Sequence, residues 1–255
     1  MKRQDNLSRI SKSRLEEEGF IYHTVDGDYW NDKSFYVFTE LQAQILKQAS
    51  EELHLLCKEA VDYVVRSGDY QSYGLTPEAF ELASKSWLNQ EPHLYGRFDF
   101  AWDGTGAPKL LEYNADTPTA LLEAGKVQQA WLNLTQAEGF KVFSEIPRLL
   151  TERFSQIIPA QKNLFLSCMK QTIEDEGNVL FMLERALLAG LEAQFVYIED
   201  LSWNPEINYF CTSSGTPVDY LFKLYPWEWM VRDEFSSCLP HSQTRFLEPA
   251  WKQLL

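Results

Sequence analysis

Charged and apolar side chains alternate in one segment of the chain, where two short strands are predicted to form a hairpin. Tyr95 to Trp102 is typical of a strand, and Lys109 to Asn114 is typical of a second, with a glycine- and proline-containing loop between them. Because side chains alternate between the two faces of a strand, Arg97 and Asp99 share one face. The other face of the first strand is aromatic.

Symmetric closure about the loop predicts three cross-strand pairs, which are Trp102 with Lys109, Asp99 with Glu112, and Arg97 with Asn114. Two carboxylates directly opposite one another repel unless a cation lies between them. The side-chain oxygens of Asp99, Glu112 and Asn114 form a ligand set that suits Mg²⁺, an ion that commonly accompanies substrate phosphates. The Arg97 guanidinium has the forked geometry that binds phosphoryl oxygens.

The same pattern has a simpler interpretation. Charged side chains on one face of an antiparallel sheet are often only solvated, and Arg97 would then form a surface salt bridge with Asp99 or Glu112. Periodicity alone leaves both interpretations open.

A helix is predicted to begin at Thr117-Pro118, directly after the hairpin, because proline suits the first helical position. Its free backbone N–H groups would point toward the same end of the hairpin and suit an anionic group. The hydroxyls of Thr117 and Thr119 would add hydrogen-bond donors. A plain helix cap is the alternative role for Thr117.

Other elements are predicted from apolar periodicity. A long amphipathic helix runs from a capping box at Thr39 and Gln42 to a stop at Ser67-Gly68, and a shorter helix begins at Thr76-Pro77. Residues 1–36 suggest an irregular arm with a short hairpin turning at Asp26-Gly27-Asp28.

After residue 160, short apolar runs alternate with helix-type periodicity. The predicted elements are runs at 163–168, 193–198 and 220–225, and a helix at 179–191. This order predicts an α/β (α+β) fold, in which a small parallel or mixed sheet is covered by helices in a Rossmann-like layer. The glycine fingerprint of dinucleotide-binding folds is missing from the sequence.

The composition disfavours two classes of partner. The 255 residues include 37 Asp and Glu against 23 Lys and Arg, a formal charge of −14, which disfavours nucleic acid and anionic membranes. We expect a cytoplasmic protein, because the N-terminus has no secretory apolar region and no apolar run approaches the roughly 18 residues of a spanning helix. The four cysteines lie far apart and are predicted to be reduced thiols.

Three segments carry a resemblance to a known family. They are GRFDFAWDGTGAPKLLEYNADTPTALLEAG at 96–125, LFKLYPWEWMVRDEF at 221–235, and FLEPAWKQLL at the end of the sequence. These segments resemble the glutathionylspermidine synthase family, including its shorter bacterial members of the acid–amine ligase type. The resemblance covers essentially the whole chain.

The resemblance implies an ATP-grasp ligase that phosphorylates a carboxylate with ATP and lets an amine displace phosphate to form an amide. By the family pattern Arg97 stabilises the transferring group, with Arg97 and Asp99 at the nucleotide phosphates. The same pattern assigns Mg²⁺ to Asp99, Glu112 and Asn114.

The resemblance also assigns the two substrates, a glutathione-like or peptide acid and an amine. Thr117 and Thr119 stand where the family has two serines near glutathione. Glu174 and Asp175, within Glu174-Asp175-Glu176, resemble an acidic element on the amine side. A helix N-terminus, where acids favour the dipole, is the alternative for this acidic run.

The implied organisation has three parts. They are an N-terminal helical region at 1–160 carrying the hairpin (95–119), a Rossmann-like pre-ATP-grasp layer at 161–240, and, at 241–255, the start of a glutathione synthetase-like ATP-grasp region. Such a region needs further strands with nucleotide-contacting lysines, and none follows Leu255. We therefore expect a chain truncated before the C-terminal ATP-grasp part.

Two other functions remain open at this stage. The chain is alternatively a non-catalytic remnant that binds a peptide or polyamine, and ATP binding would distinguish the two. A hydrolase that uses Asp99 and Glu112 as acid and base is the third candidate.

Overall fold

A four-stranded parallel sheet organises residues 163–247. In this computed structural model, which describes residues 1–5, 9–25, 27, 29–135 and 139–255, the strand order is β10-β9-β5-β6. The sheet strands are β5 (Asn163–Cys168), β6 (Glu192–Tyr197), β9 (Tyr220–Leu224) and β10 (Arg245–Leu247).

The remaining strands form three two-stranded antiparallel pairs, β1 (Lys2–Asp5) with β2 (Ser34–Val37), β3 (Arg97–Ala101) with β4 (Lys109–Asn114), and β7 (Ser202–Asn204) with β8 (Tyr209–Cys211). The α-helices are α1 (Lys12–Glu17), α2 (Glu40–Ser67), α3 (Pro77–Leu88), α4 (Gln128–Thr135), α5 (Ile146–Ile157), α6 (Ile173–Leu188) and α7 (Trp227–Met230). A π-helical segment, Glu123–Val127, leads directly into α4. A 3₁₀ segment, Ala250–Leu254, closes the chain.

Both faces of the parallel sheet are buried, which explains why its strands have continuous apolar runs in the sequence. Leu164 and Phe222 belong to the large core shared with α5 and α6, whereas their neighbours Phe165 and Leu221 pack in a separate cluster on the opposite face. The predicted α/β (α+β) class with a Rossmann-like parallel layer is confirmed.

The predicted ends of the long helix are confirmed. The Thr39 hydroxyl accepts from the backbone N–H of Gln42 at 3.2 Å, the Gln42 side chain accepts from the backbone N–H of Thr39 at 3.0 Å, and Gly68 ends the helix with φ 69°. Thr76 caps α3, and Pro77 occupies its first position.

The prediction for residues 1–36 was wrong in part. The segment contains a helix, α1, capped by Ser11, and its first residues pair with β2 as a strand. Pairing with β2 fixes the position of the first residues. Local turn signals do not predict a pairing between residues that lie this far apart in the sequence. Of the predicted turn, Asp26 and Asp28 lie outside the described residues.

The C-terminal residues complete the sheet. Leu247 in β10 pairs with Phe222 in β9, so the sheet extends past the boundary predicted at residue 240. Trp251 then packs edge-on against Trp87 of α3. The division into three parts stays a prediction.

Within the described ranges, no helix combines the length and the apolar character that a membrane crossing requires. All four cysteines are free, as predicted, and Cys168 and Cys211 are buried.

Candidate functional site

The hairpin brings four polar side chains together. Arg97 pairs with Asn114, and Asp99 pairs with Glu112, as the alternation predicted. The two members on each strand lie two positions apart, with one residue between them, so all four side chains share one face of the hairpin. The two carboxylates therefore lie directly opposite one another.

The Arg97 side chain connects the members of this group. Its Nε and Nη2 atoms donate to the two Asp99 oxygens at 2.9 and 3.1 Å, and Nη2 lies 3.8 Å from Glu112 Oε1. Its Nη1 donates to the Thr119 hydroxyl at 3.3 Å. This guanidinium lowers the pKa of Asp99, so the carboxyl stays ionised. An acid role for Asp99, as in the hydrolase alternative, is disfavoured.

The register departs from the prediction near the loop. Ala101, and not Trp102, pairs with Lys109, because a β-bulge lies between Asp99 and Phe100. One extra residue on β4 leaves Leu111 without a partner opposite it. The predicted Trp102–Lys109 pair was wrong, whereas the pairs that carry the polar groups are unaffected.

The donor set on the hairpin suits a hard divalent cation. Two carboxylates and one amide oxygen share a face, and the Asp99 and Glu112 side chains are 35% and 59% exposed. The Asn114 amide donates to Glu112 Oε1 at 2.8 Å, which orients that carboxylate. Among the described residues, no cluster of three His, Cys, Asp or Glu side chains suits a metal ion. A Mg²⁺ ion here would therefore depend on the amide, water and substrate oxygens as well.

The loop after the hairpin departs from the prediction. Helical backbone begins at Leu121, so the predicted helix is present but its predicted start at Thr117-Pro118 was wrong, and so was the capping role for Thr117. Ala120 adopts φ 67°, a left-handed conformation that does not fit a right-handed helix, and the Leu121 N–H donates to Asn178 Oδ1 at 2.8 Å. That N–H is therefore already occupied. Thr119 contacts Arg97, and Thr117 is half-buried nearby.

The acidic run Glu174-Asp175-Glu176 occupies the first turn of α6, which begins at Ile173, six residues before the predicted start. Burial raises the pKa of Glu174, and the carboxylates of Glu123 and Asp175 raise it further. Arg97 and Thr119 act on this group in the opposite direction, so Glu174 faces the end of the hairpin. Burial also raises the pKa of Asp175.

The sequence analysis missed Glu123, which is only 7% exposed. Its two oxygens accept from the hydroxyls of Tyr22 at 3.1 Å and Tyr29 at 2.8 Å. Burial and the Glu123 carboxylate raise the pKa of both tyrosines. A signal was available, since Glu123 precedes the buried Val127 by four residues and so falls on an apolar face.

We expect Glu174→Gln to stabilise the protein by about 0.5 kcal/mol at neutral pH, the scale of repulsion between partly exposed like charges. A carboxyl whose pKa is raised in the folded state disfavours folding once ionised. The wild-type protein therefore loses this stability as the pH rises through the range in which glutamate ionises, near about 4.3, and above it. Thermal unfolding should show the gain at pH 7 and its loss below about pH 4.

Glu192→Gln, at an exposed position, is the control. A lower midpoint for Glu174→Gln at pH 7 would contradict the expectation.

A buried ion pair holds the base of the hairpin. Glu248 is 0% exposed and accepts from the backbone N–H groups of Leu94 and Tyr95 at 2.9–3.1 Å. Lys252 Nζ lies 2.6 Å from the Glu248 carboxylate and donates to the carbonyls of Tyr95 and Ala115. The pair thus contacts the chain before β3 and after β4.

A second buried pair fixes the loop that follows. Lys223 in β9 is fully buried and lies 2.7 Å from Asp116 Oδ1, and the other Asp116 oxygen accepts from the Trp227 N–H at 2.7 Å. Burial lowers the pKa of Lys223, and the Asp116 carboxylate opposes that effect. Lys223 therefore anchors the loop that follows the hairpin.

Residues 3–255 match the family model described as glutathionylspermidine synthase preATP-grasp. The chain belongs to that family.

Several proteins similar to this chain are named as ligases or synthetases. The chain is 40% identical over 253 residues to a Haemophilus influenzae protein named "Putative acid--amine ligase", covering 95% of this chain and 63% of the relative. It is 27% identical to the trypanothione synthetase of Crithidia fasciculata, covering 89% of this chain and 33% of the relative. It is 26% identical to the bifunctional glutathionylspermidine synthetase/amidase of Escherichia coli K12, covering 87% and 38%. The chain thus spans less than two thirds of each relative.

A solved structure shares the fold of this family member. A glutathione synthetase-like effector from Globodera pallida, in its apo form, has a TM-score of 0.55 at 11% identity, covering 96% of this chain and 64% of the other. At this identity the likeness concerns the fold alone. The predicted preATP-grasp fold, related to the glutathione synthetase type, is confirmed.

The preATP-grasp fold brings most of the predicted site residues together. Arg97, Asp99, Glu112 and Asn114 share one face, and Thr119 touches Arg97. Glu174 faces the same end of the hairpin, with Asp175 next to it, and Thr117 lies in the connecting loop. The roles assigned to these residues stay predictions.

Proposed function

We propose that the chain is the metal- and substrate-binding part of an ATP- and Mg²⁺-dependent carboxylate–amine ligase. The convergence of Arg97, Asp99 and Glu112 on one face of the hairpin carries the proposal, because phosphoryl transfer needs a cation-binding carboxylate pair beside a forked donor. The ligase and synthetase names of its relatives support the same reaction class.

In the proposed reaction an oxygen of the acid substrate attacks the γ-phosphorus of ATP, and ADP leaves. The amine nitrogen then attacks the acyl carbon and loses a proton, and phosphate leaves as the amide forms. Arg97 stabilises charge on the transferring group, and Asp99 with Glu112 and Asn114 would hold Mg²⁺, which neutralises phosphate charge when bound.

The acidic groups around α6 form the proposed amine side of the site. Glu174 and Asp175 lie in one helical turn, and the Glu123 carboxylate influences Glu174. An ammonium group would relieve repulsion among these carboxylates. Thr119 accepts a hydrogen bond from Arg97, and we propose that a glutathione-like or peptide acid binds at the hydroxyls of Thr117 and Thr119.

The proposed setting is the cytoplasm. All four cysteines are free, which is typical of proteins from reducing compartments.

The acidic cluster also favours the alternative of a non-catalytic polyamine-binding protein. Both functions predict spermidine binding, so nucleotide chemistry must distinguish them. The test is release of phosphate from ATP with Mg²⁺, glutathione and spermidine, measured with the protein that contains both this chain and the ATP-grasp part. Release that requires all four components supports the ligase, whereas spermidine binding without ATP binding favours the alternative.

We expect Asp99→Asn and Glu112→Gln each to weaken Mg²⁺ binding at least about tenfold, because each removes a charged oxygen donor. Titration calorimetry with Mg²⁺ measures the affinity, and circular dichroism should show the fold retained, since both side chains are partly exposed. Asp103→Asn, in the loop of the same hairpin, is the matched control. Unchanged affinity in both site variants would contradict the metal assignment.

A further inference from the structure

A cavity separate from the hairpin lies at the carboxyl edge of the parallel sheet. Its volume is about 360 Å³, within the range of small-molecule pockets. Three lining residues, Met169, Ile198 and Tyr225, each follow directly the last residue of a sheet strand, β5, β6 and β9. In open α/β sheets this edge is where ligands bind.

This cavity is separate from the hairpin site. Leu221 lines it, and Leu221 packs on the face of the sheet opposite its neighbour Phe222. Tyr95, at the base of the hairpin, stacks on Phe222 with ring centroids 6.4 Å apart. None of the site residues described above is among the residues that line the cavity. A ligand in the cavity would therefore lie across the sheet from the hairpin.

The wall of the cavity is apolar and its rim is acidic. Leu221, Met230 and Leu239 are at most 8% exposed, so the interior offers apolar and aromatic surface. The polar lining residues other than Tyr225 are the three exposed carboxylates, Glu199, Asp233 and Glu234.

Two of the three rim carboxylates, Glu199 and Asp233, accept hydrogen bonds from uncharged donors. Glu199 accepts from the backbone N–H of Lys170 at 2.9 Å, while the Lys170 ammonium lies 2.5 Å from Asp200. Asp233 accepts from the Tyr225 hydroxyl at 2.8 Å. Because the Lys170 ammonium also interacts electrostatically with Glu199, the negative charge most available to a cation from solution is that of Asp233 and Glu234.

We propose that the cavity binds a small organic ammonium compound, with its apolar body inside the cavity and its ammonium group at the acidic rim. The charges select the class, because a carboxylate or phosphate ligand would meet three negative side chains. A strongly hydrated inorganic cation would gain nothing from the apolar wall. The proposal concerns binding and does not depend on the proposed ligase reaction.

The four methionines give a direct test. Met169 and Met230 line the cavity, whereas Met182 is buried in the core on the other face of the sheet. With the methionine methyl groups labelled with ¹³C, titration of the whole chain with phenethylammonium should shift the Met169 and Met230 signals saturably. The Met182 signal should stay in place. Met169→Leu and Met230→Leu assign the signals.

Charge and shape are tested separately. The double variant Asp233→Asn with Glu234→Gln should bind phenethylammonium at least about tenfold more weakly, because it loses charge-assisted hydrogen bonds. Glu59→Gln with Glu192→Gln, at exposed positions outside the cavity, changes the net charge equally and should bind as the wild type. Phenethyl alcohol, the neutral isostere, should bind the wild type at least about tenfold more weakly.

Each other outcome overturns the proposal. Absence of a saturable shift at Met169 and Met230 excludes a ligand site in this cavity. Equal binding by the two double variants, or equal binding of the alcohol, excludes recognition of the ammonium group. Shifts at Met182 alone would place the amine elsewhere, for example at the acids near Glu174.

Discussion

Glu248→Gln should lower the free energy of unfolding by about 3–5 kcal/mol, the usual cost of breaking a buried ion pair. The substitution keeps the shape of the side chain but leaves the Lys252 ammonium buried without its counter-charge. Burial already lowers the pKa of Lys252, and the Glu248 carboxylate opposes that effect, so its loss makes the charged lysine still less favourable. Urea denaturation, followed by tryptophan fluorescence, measures the change.

Glu152→Gln is a matched control for that prediction. Glu152 pairs with Arg148 at 2.8 Å, also four residues apart along the chain, but both side chains are half exposed. We expect Glu152→Gln to lower the free energy of unfolding by less than about 1 kcal/mol, because water and salt screen exposed pairs. The double change Glu248→Gln with Lys252→Met should recover part of the loss, since no uncompensated charge remains. Similar losses for Glu248→Gln and Glu152→Gln would contradict our account of the buried pair.

Arg97→Lys should lower ATP-dependent amide formation by about 10²–10³-fold, the usual cost of removing one donor to transition-state charge. Lysine keeps the positive charge but loses the fork that holds both Asp99 oxygens and the Thr119 hydroxyl. Product formation from ATP, glutathione and spermidine measures the effect in the protein that contains both this chain and the ATP-grasp part, and the loss should fall mainly on kcat.

Arg66→Lys is the control for the Arg97 variant, because Arg66 forms an exposed pair with Asp62 on α2. It should retain full turnover. Circular dichroism should show that Arg97→Lys is folded, since the Arg97 side chain is 34% exposed. Turnover within about threefold of the wild type would contradict a role for the guanidinium in charge stabilisation.

Local patterns in the sequence predicted the polar face of the hairpin, whereas a helix N-terminus was only an alternative for the acidic run, and the helix start was predicted six residues too late. Alternation along a strand fixes which side chains share a face, so Arg97, Asp99 and Glu112 were found without any tertiary information. The capping box at Thr39 and the left-handed Gly68 followed equally local rules. The bulge at Leu111 was not predicted, because it shifts the register between the two strands by only one residue.

The helix start after the hairpin shows where local rules fail. Thr117-Pro118 has the sequence of a helix opening, yet Asn178 on α6 accepts the N–H of Leu121, and Ala120 turns left-handed before it. That hydrogen bond joins residues 57 positions apart, so no local window contains both partners. The spacing to Val127 was a local signal that Glu123 is buried, but its partner Tyr22 lies 101 residues away, so no local window contains that pair.

By itself the sequence determined which residue types share each face of the strands, which elements alternate after residue 160, and which family the hairpin resembles. Only the tertiary structure decided that Lys223 and Lys252 are buried anchors of the hairpin, and that an apolar cavity with an acidic rim lies on the far face of the sheet. The physical reason is that periodicity follows from backbone geometry within a few residues. Burial, ion pairing and cavities depend on which distant segments meet.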